Sequence, residues 1–215
     1  MISTVIFDLD GLLADSETLH CRSYQDVLAT RAIVIEEDEY AEHWIRCGLG
    51  IDEFAEARGL DLDTVAVRRD KAVRFKELVA NDLEPMPGAH QVLERIAGNK
   101  RLALATGSYG ADAFSIIDGL GIREFFEYIA TKESTPRLKP HPDPWLHVAE
   151  RLGVAPAECV VLEDAEKGVI AAERAGMVSI AVPNRFTRDT DLSQAAVVLE
   201  SLDEVTLTLI DSLDT

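Results

Sequence analysis

From about residue 86 onward, short apolar runs alternate with stretches in which apolar residues recur every three or four positions. The short runs are Leu102–Ala105, Tyr128–Ala130, Cys159–Leu162, Val178–Val182 and Ala196–Leu199. The helical patterns are Ala89–Ala97, Asp112–Leu120, Pro144–Leu152 and Lys167–Ala175, with Gly98, Gly121, Gly153 and Gly176 after them as stops. Near the N-terminus, Thr4–Phe7 has the make-up of a strand covered by helices on both faces. This alternation predicts an α/β fold built on a doubly wound, Rossmann-like parallel sheet.

The stretch from 15 to 85 follows another rule. Leu19, Tyr24, Val27 and Leu28, then Val65, Val73, Phe75, Leu78 and Val79, keep helical spacing with hardly a strand-like run. The pattern predicts a catalytic core of residues 1–14 and 86–215 interrupted by a small α-helical cap domain over 15–85. Glu84-Pro85-Met86-Pro87-Gly88 has the composition of a hinge at the exit. An insert that leaves and rejoins beside the ligand-binding end of a sheet can close over it, exclude water and select the substrate.

Composition narrows the class. With 215 residues, 47% apolar and 28% charged, the chain can bury a full core. Asp8 and Asp10 interrupt the N-terminal apolar stretch, there is no long apolar run, and a cytoplasmic protein is expected. Cys21, Cys47 and Cys159 are isolated and odd in number, so neither a disulfide framework nor zinc spacing is indicated, and all three are expected as buried small hydrophobes. The net charge of −18 argues against nucleic acid and anionic membrane surfaces as partners. A phosphate-bearing substrate would need a local positive pocket, the long-range repulsion being screened beyond roughly 8 Å.

The candidate chemistry sits where the strands end, the position at which open α/β sheets bind ligands. After Thr4–Phe7 come Asp8-Leu9-Asp10-Gly11; if the chain turns at Gly11, both carboxylates reach one crevice, where a cation or a shared proton must relieve their repulsion. A hard cation such as Mg²⁺ is the economical choice. After the second run comes Thr106-Gly107-Ser108, which suits a phosphate oxyanion but by itself also reads as an ordinary loop. Glu163-Asp164 is a second carboxylate pair or a helix cap, and Lys139, in a proline-stiffened loop, read alone is a solvated lysine. Four polar clusters at the ends of strands in one parallel sheet make chance a poor explanation, and together they form a candidate site.

Taken in order, these clusters resemble the haloacid dehalogenase superfamily, and within it the β-phosphoglucomutase-like phosphatases with a small helical cap. Asp8-Leu9-Asp10-Gly11 with Asp15 is similar to the first motif, Thr106-Gly107-Ser108 to the second, Lys139 before Pro140 and Pro142-Asp143 to the third, and Glu163-Asp164 with Gly168 to the fourth. The resemblance implies that Asp8 attacks phosphorus to form an aspartyl-phosphate, and that Asp10 serves as acid and then base. It implies Mg²⁺ on Asp8, the Asp10 backbone carbonyl and Asp164, with Glu163 as a further candidate ligand. Phosphate oxygens would be held by Thr106 and by backbone N–H groups near Leu9 and Gly107, with Ser108 as a further phosphate-binding residue and Lys139 offsetting the crowd of carboxylates. His20 matches a histidine that in mutase-like members positions the second aspartate, or it merely borders the cap.

The expected function is therefore a magnesium-dependent phosphomonoester hydrolase acting on a small phosphorylated metabolite, with sugar phosphates first. A phosphomutase, a phosphonate hydrolase using a cap lysine, and a non-catalytic metabolite-binding module are the alternatives. Gly48 is not followed by the arginine with which mutases of this type grip a second phosphate, which argues against the first of these. Dehalogenases proper lack an aspartate at the position of Asp10. Ala165 and Leu138 stand where the family often has serine after the acidic pair, and glycine or serine before the lysine. Arg68, Arg69, Lys71, Arg74 and Lys76 would either meet an anionic substrate tail or form a salt-bridged surface with Asp70 and Glu77, and the interleaving favours the surface. Trp44 and Trp145 are expected as packing residues. Monomer and homodimer both stay open.

Overall fold

Every apolar run forms a strand: β1 Thr4–Phe7, β2 Arg101–Ala105, β3 Tyr128–Ala130, β4 Cys159–Glu163, β5 Val178–Ala181 and β6 Val197–Val198. This is a computed structural model, and it describes residues 1–213. The strands make one sheet, all parallel, in the order β3-β2-β1-β4-β5-β6. The chain thus runs outward from β1 to β3 and returns to place β4 against the other side of β1. The crevice outside the carboxyl ends of β1 and β4 is the switch point at which such sheets bind ligands.

Side chains alternate across the sheet. Ile6, Ala103, Ala105 and Val161 face helices 143–152 and 166–174, where Trp145, Val148, Ala149, Ala171 and Ala172 complete a core cluster. The expected helices lie at Ala89–Ile96, Gly110–Gly119, Asp143–Leu152 and Glu166–Arg174, and the four stop glycines all have positive φ. Two expectations change. The last strand is only Val197–Val198, and the chain adds a short C-terminal helix, Leu207–Ser212, capped by Thr206 Oγ1 accepting from the Leu209 amide at 3.1 Å. Six residues are too few for periodicity to stand out.

The chain divides into two compact units: Met1–Asp15 with the chain from Glu84 onward, and Ser16–Leu83. Where the chain leaves and rejoins the first unit, Ala14 bridges Pro85, and the Asp15 amide donates to the Glu84 carbonyl at 3.0 Å. The second unit is helical: Ser16–Ala29, Glu37–Tyr40, a π-helical turn at Ala41–Arg46, Ile51–Ala57 and Thr64–Asp82. It has its own core of Val27, Leu28, Ile35, Ile51, Phe54 and Val67, against which Trp44 packs.

On its surface Arg68 pairs with Asp52 at 2.7 Å, Arg74 with Asp26 at 2.7 Å and Arg69 with Asp70 at 2.9 Å, the salt-bridged face that the interleaved charges indicated. Exposed pairs of this kind add little to stability, because water and salt screen them. One expectation for the cysteines fails: Cys21 and Cys159 are buried, but Cys47 is exposed, at the end of the π-helical turn with its thiol directed to Glu42. Among the described residues no helix is long and apolar enough to cross a membrane.

Candidate active site

Register brings the first carboxylates together. Phe7 pairs with Leu162, so one residue further along the two strands Asp8 lies opposite Glu163. By period-two alternation both point to the face that carries Ile6 and Val161, toward helices 143–152 and 166–174. Both are buried, and Lys139 lies between them, its Nζ 2.5 Å from Asp8 Oδ1 and 2.7 Å from Glu163 Oε1. The Trp145 ring lies under the same ammonium, 3.9 Å from centroid to nitrogen. Arg174 donates to the Pro140 carbonyl at 2.8 Å and so steadies the loop that carries Lys139. The loop lysine is therefore a buried ion-pair partner, whereas its sequence alone suggested solvent.

Glu163 is held at its other oxygen too, Oε2 accepting from the amides of Asp164 and Ala165 at 2.9 Å each. Gly168 makes room for it, since a Cβ there would lie 1.8 Å from Glu163 Oε1. The Glu163 carboxylate is pinned and cannot swing away cheaply. Gly168→Ala is expected to destabilise the fold by about 1–3 kcal/mol, overpacking outweighing the ~1 kcal/mol gained in helix propensity. It should also lower turnover, because Glu163 must leave Lys139; chemical denaturation and steady-state kinetics on one preparation check both.

Asp164 completes the acidic group. One oxygen each from Asp8, Glu163 and Asp164 lie within 4.8 Å of one another, and all three residues are buried. Burial pushes the Asp8 carboxyl up to about 7, with Glu163 and Asp10 adding to the rise and Lys139 opposing it. Lys139 stays above its ordinary value: burial alone would lower it, but Asp8 and Glu163 outweigh that. One ammonium thus serves several carboxylates, and the excess of buried negative charge and hard oxygen donors fits a divalent cation.

Asp10 is held by the second cluster. Thr106 Oγ1 and Ser108 Oγ both donate to Asp10 Oδ2, at 2.7 and 2.8 Å, and the Ser108 amide donates to Thr106 Oγ1 at 2.9 Å. The sequence pattern points these hydroxyls at phosphate; in the fold they also grip the second aspartate, a contact across 96 positions that spacing does not reveal. The amides of Leu9 and Gly107 are not spent on turn or sheet hydrogen bonds among the described residues, which suits both to an oxyanion.

His20 belongs to the helical unit. It stacks on Phe75 with centroids 3.9 Å apart, and its Nδ1 lies 2.5 Å from Lys71 Nζ. An ammonium can only donate, so Nδ1 is the acceptor and the proton of a neutral ring sits on Nε2. Lys71 therefore turns to His20. Two site residues exceed what the sequence indicated: Trp145, expected only as packing, and Asn184, which comes after β5 and donates to Asp164 Oδ2 at 2.8 Å. The signal for Asn184 is the one that marks Asp8, Thr106 and Glu163, a polar side chain just beyond an apolar run, here Val178–Val182.

The sequence matches the model of haloacid dehalogenase-like hydrolases over residues 2–176. It is 32% identical over 183 residues to fructose-1-phosphate phosphatase YqaB of Escherichia coli (strain K12), covering 83% of this chain and 95% of that protein. It is 34% identical over 215 residues to hexitol phosphatase B of Escherichia coli (strain K12), covering 95% of each. Among solved structures, a variant of CbbY from Rhodobacter sphaeroides in complex with xylulose-(1,5)bisphosphate superposes with a TM-score of 0.84 at 28% identity, over 97% of this chain and 98% of that one.

Proposed function

The chain belongs to the haloacid dehalogenase-like hydrolases and is a phosphatase of that family, and from that premise we propose that it hydrolyses small sugar phosphates through an aspartyl-phosphate on Asp8. The observation that carries this reading is the Lys139 ammonium shared by Asp8 and Glu163 beside Asp164, with Asp10 held separately by two hydroxyls. Two carboxylates one residue apart thus have different surroundings, as two different roles require.

In the first half-reaction an Asp8 oxygen attacks phosphorus, the bond from phosphorus to the sugar oxygen breaks, and Asp10 gives its proton to the departing alkoxide. In the second, water attacks phosphorus, Asp10 takes the proton, and the bond from phosphorus to Asp8 breaks to release inorganic phosphate. Lys139 holds the nucleophile in place and stabilises charge on the transferring group, together with the amides of Leu9 and Gly107, while Thr106 and Ser108 hold Asp10. Asp8, the Asp10 carbonyl and Asp164 would hold Mg²⁺, which when bound neutralises phosphoryl charge. Glu163, with both oxygens already engaged, serves to hold Lys139 before it serves a cation.

The sugar-phosphate class rests on the relatives: one is named a fructose-1-phosphate phosphatase, one a hexitol phosphatase, and a variant of a third is seen with xylulose-(1,5)bisphosphate. A panel of sugar mono- and bisphosphates, assayed for inorganic phosphate, tests the proposal. Release should require added Mg²⁺, stop with EDTA and return when Mg²⁺ is restored. Release indifferent to EDTA would refute the cation's part, and isomerised sugar phosphate without free phosphate would refute hydrolysis.

A further inference from the structure

Asn184, in the loop after β5, ties the ends of three strands together through a single side chain. Its Oδ1 accepts from the Phe186 amide at 2.8 Å, and its own amide donates to Thr187 Oγ1 at 3.0 Å. The loop closes further on Asn184, whose carbonyl accepts from the amides of Thr187 at 3.2 Å and Arg188 at 3.0 Å. With Oδ1 used in this turn, the other end of the side chain is the NH₂ group. It meets two acceptors, Gly11 O at 3.0 Å and Asp164 Oδ2 at 2.8 Å. An amide nitrogen has two protons to give, and here each has a receiver. A hydroxyl would supply one and a carboxylate none.

The third wall of this joint is Gly11. Its φ is +82°, and a Cβ there would lie 2.6 Å from Asn184 Nδ2 and 2.7 Å from Asp164 Oδ2. The turn after Asp10, the acidic pair at the end of β4 and the loop after β5 therefore meet at a single amide. Asp164 and the Asp10 backbone stand on two sides of it.

We propose that Asn184 is a positioning residue for the divalent-cation site: its amide orients Asp164 and ties the Asp10 turn to it before the cation arrives. The inference rests on the cation-assisted reading of this site. A ligand whose rotamer is already set gives up less freedom on binding, and partners that hydrogen-bond to metal ligands govern affinity on that account.

The test uses the full chain freed of metal and titrated with Mn²⁺ alone, followed by electron paramagnetic resonance and by calorimetry. Asn184→Ala is expected to bind Mn²⁺ roughly 10–100-fold more weakly. Asn184→Ser keeps an oxygen for the Phe186 amide but is too short for the bridge, and it should bind equally weakly; it serves if the alanine variant does not fold. Thr187→Val loosens the loop and spares the bridge, and it should stay within about threefold of the unaltered chain. In turnover the Mg²⁺ concentration for half-maximal rate should rise for the Asn184 variants while KM for the phosphomonoester holds, and excess Mg²⁺ should restore the rate, a rescue that a merely structural defect would not show. Unchanged Mn²⁺ affinity in the folded Asn184 variants, or an equal loss in Thr187→Val, overturns the inference. If the unaltered chain itself takes up no Mn²⁺, the cation-assisted reading falls, and this inference with it.

Discussion

Asp8→Asn should reduce phosphate release by on the order of 10⁴-fold or more, the scale on which an enzyme loses its attacking atom, and should at the same time stabilise the metal-free protein above pH 7. The two effects have one cause. Burial and the carboxylates of Glu163 and Asp10 hold Asp8 up to about 7, against an ordinary value of 3.8. A carboxyl raised on folding favours the folded state while it is protonated. That contribution is complete below about pH 4 and is lost as the pH climbs through 7. Above that point ionised Asp8 burdens the fold, whereas asparagine carries no charge and leaves Lys139 and Glu163 as a balanced pair. Thermal melts in EDTA from pH 5 to 8 should show the unaltered chain losing stability more steeply than Asp8→Asn, with Mg²⁺ narrowing the gap. A flat profile for the unaltered chain would contradict this account, and undiminished turnover in the variant would remove Asp8 as nucleophile.

Lys139→Met should be the most destructive single change to the fold among the site residues. The substitution keeps length and apolar bulk against Trp145 but removes the ammonium that Asp8 and Glu163 share. Stripping one partner from a buried ion pair costs about 3–5 kcal/mol, because the charge left behind is neither hydrated nor compensated. Here two carboxylates are left, and Asp8, relieved of the lysine that lowers it, rises further. The loss of stability with pH still begins near the ordinary carboxyl value but extends to higher pH and grows larger. Turnover should drop by roughly 10²–10³-fold from lost charge stabilisation. Urea unfolding at pH 6 and pH 8 tests the stability half, where a loss under about 1 kcal/mol would mean that the pair is effectively solvated. Lys139→Arg is not expected to rescue, since a planar guanidinium does not fit a cleft shaped around a compact ammonium.

Much of this site can be read from the linear chain for a simple reason. A strand fully covered by helices is apolar throughout, so the polar residues that break its run mark its carboxyl end. Asp8, Thr106 and Glu163 each come directly after such a run, and the sheet places all three ends side by side. Lys139 is harder to place, because a lysine between prolines looks the same in a loop whether it is solvated or buried. Trp145 has the character of a packing residue, but its place beneath the Lys139 ammonium has no signature in spacing. Asn184 lies 173 positions from Gly11 and 20 from Asp164, so only the sheet order makes the three neighbours. The exposure of Cys47 escapes the sequence because which face of a short turn meets solvent depends on what packs beside it, and the pairing of Lys71 does so because His20 lies 51 positions away on another helix.

Periodicity along the chain, on its own, determined the strands, most of the helices, the helical insertion and the four clusters in which chemistry could occur, because each is set by backbone geometry over a few consecutive residues. Which hydroxyl grips Asp10, which carboxylate shares the lysine and which amide steadies Asp164 were decided only by the folded sheet. Hydrogen bonds reach about 3 Å, and strand order and register alone bring residues more than a hundred positions apart within that distance.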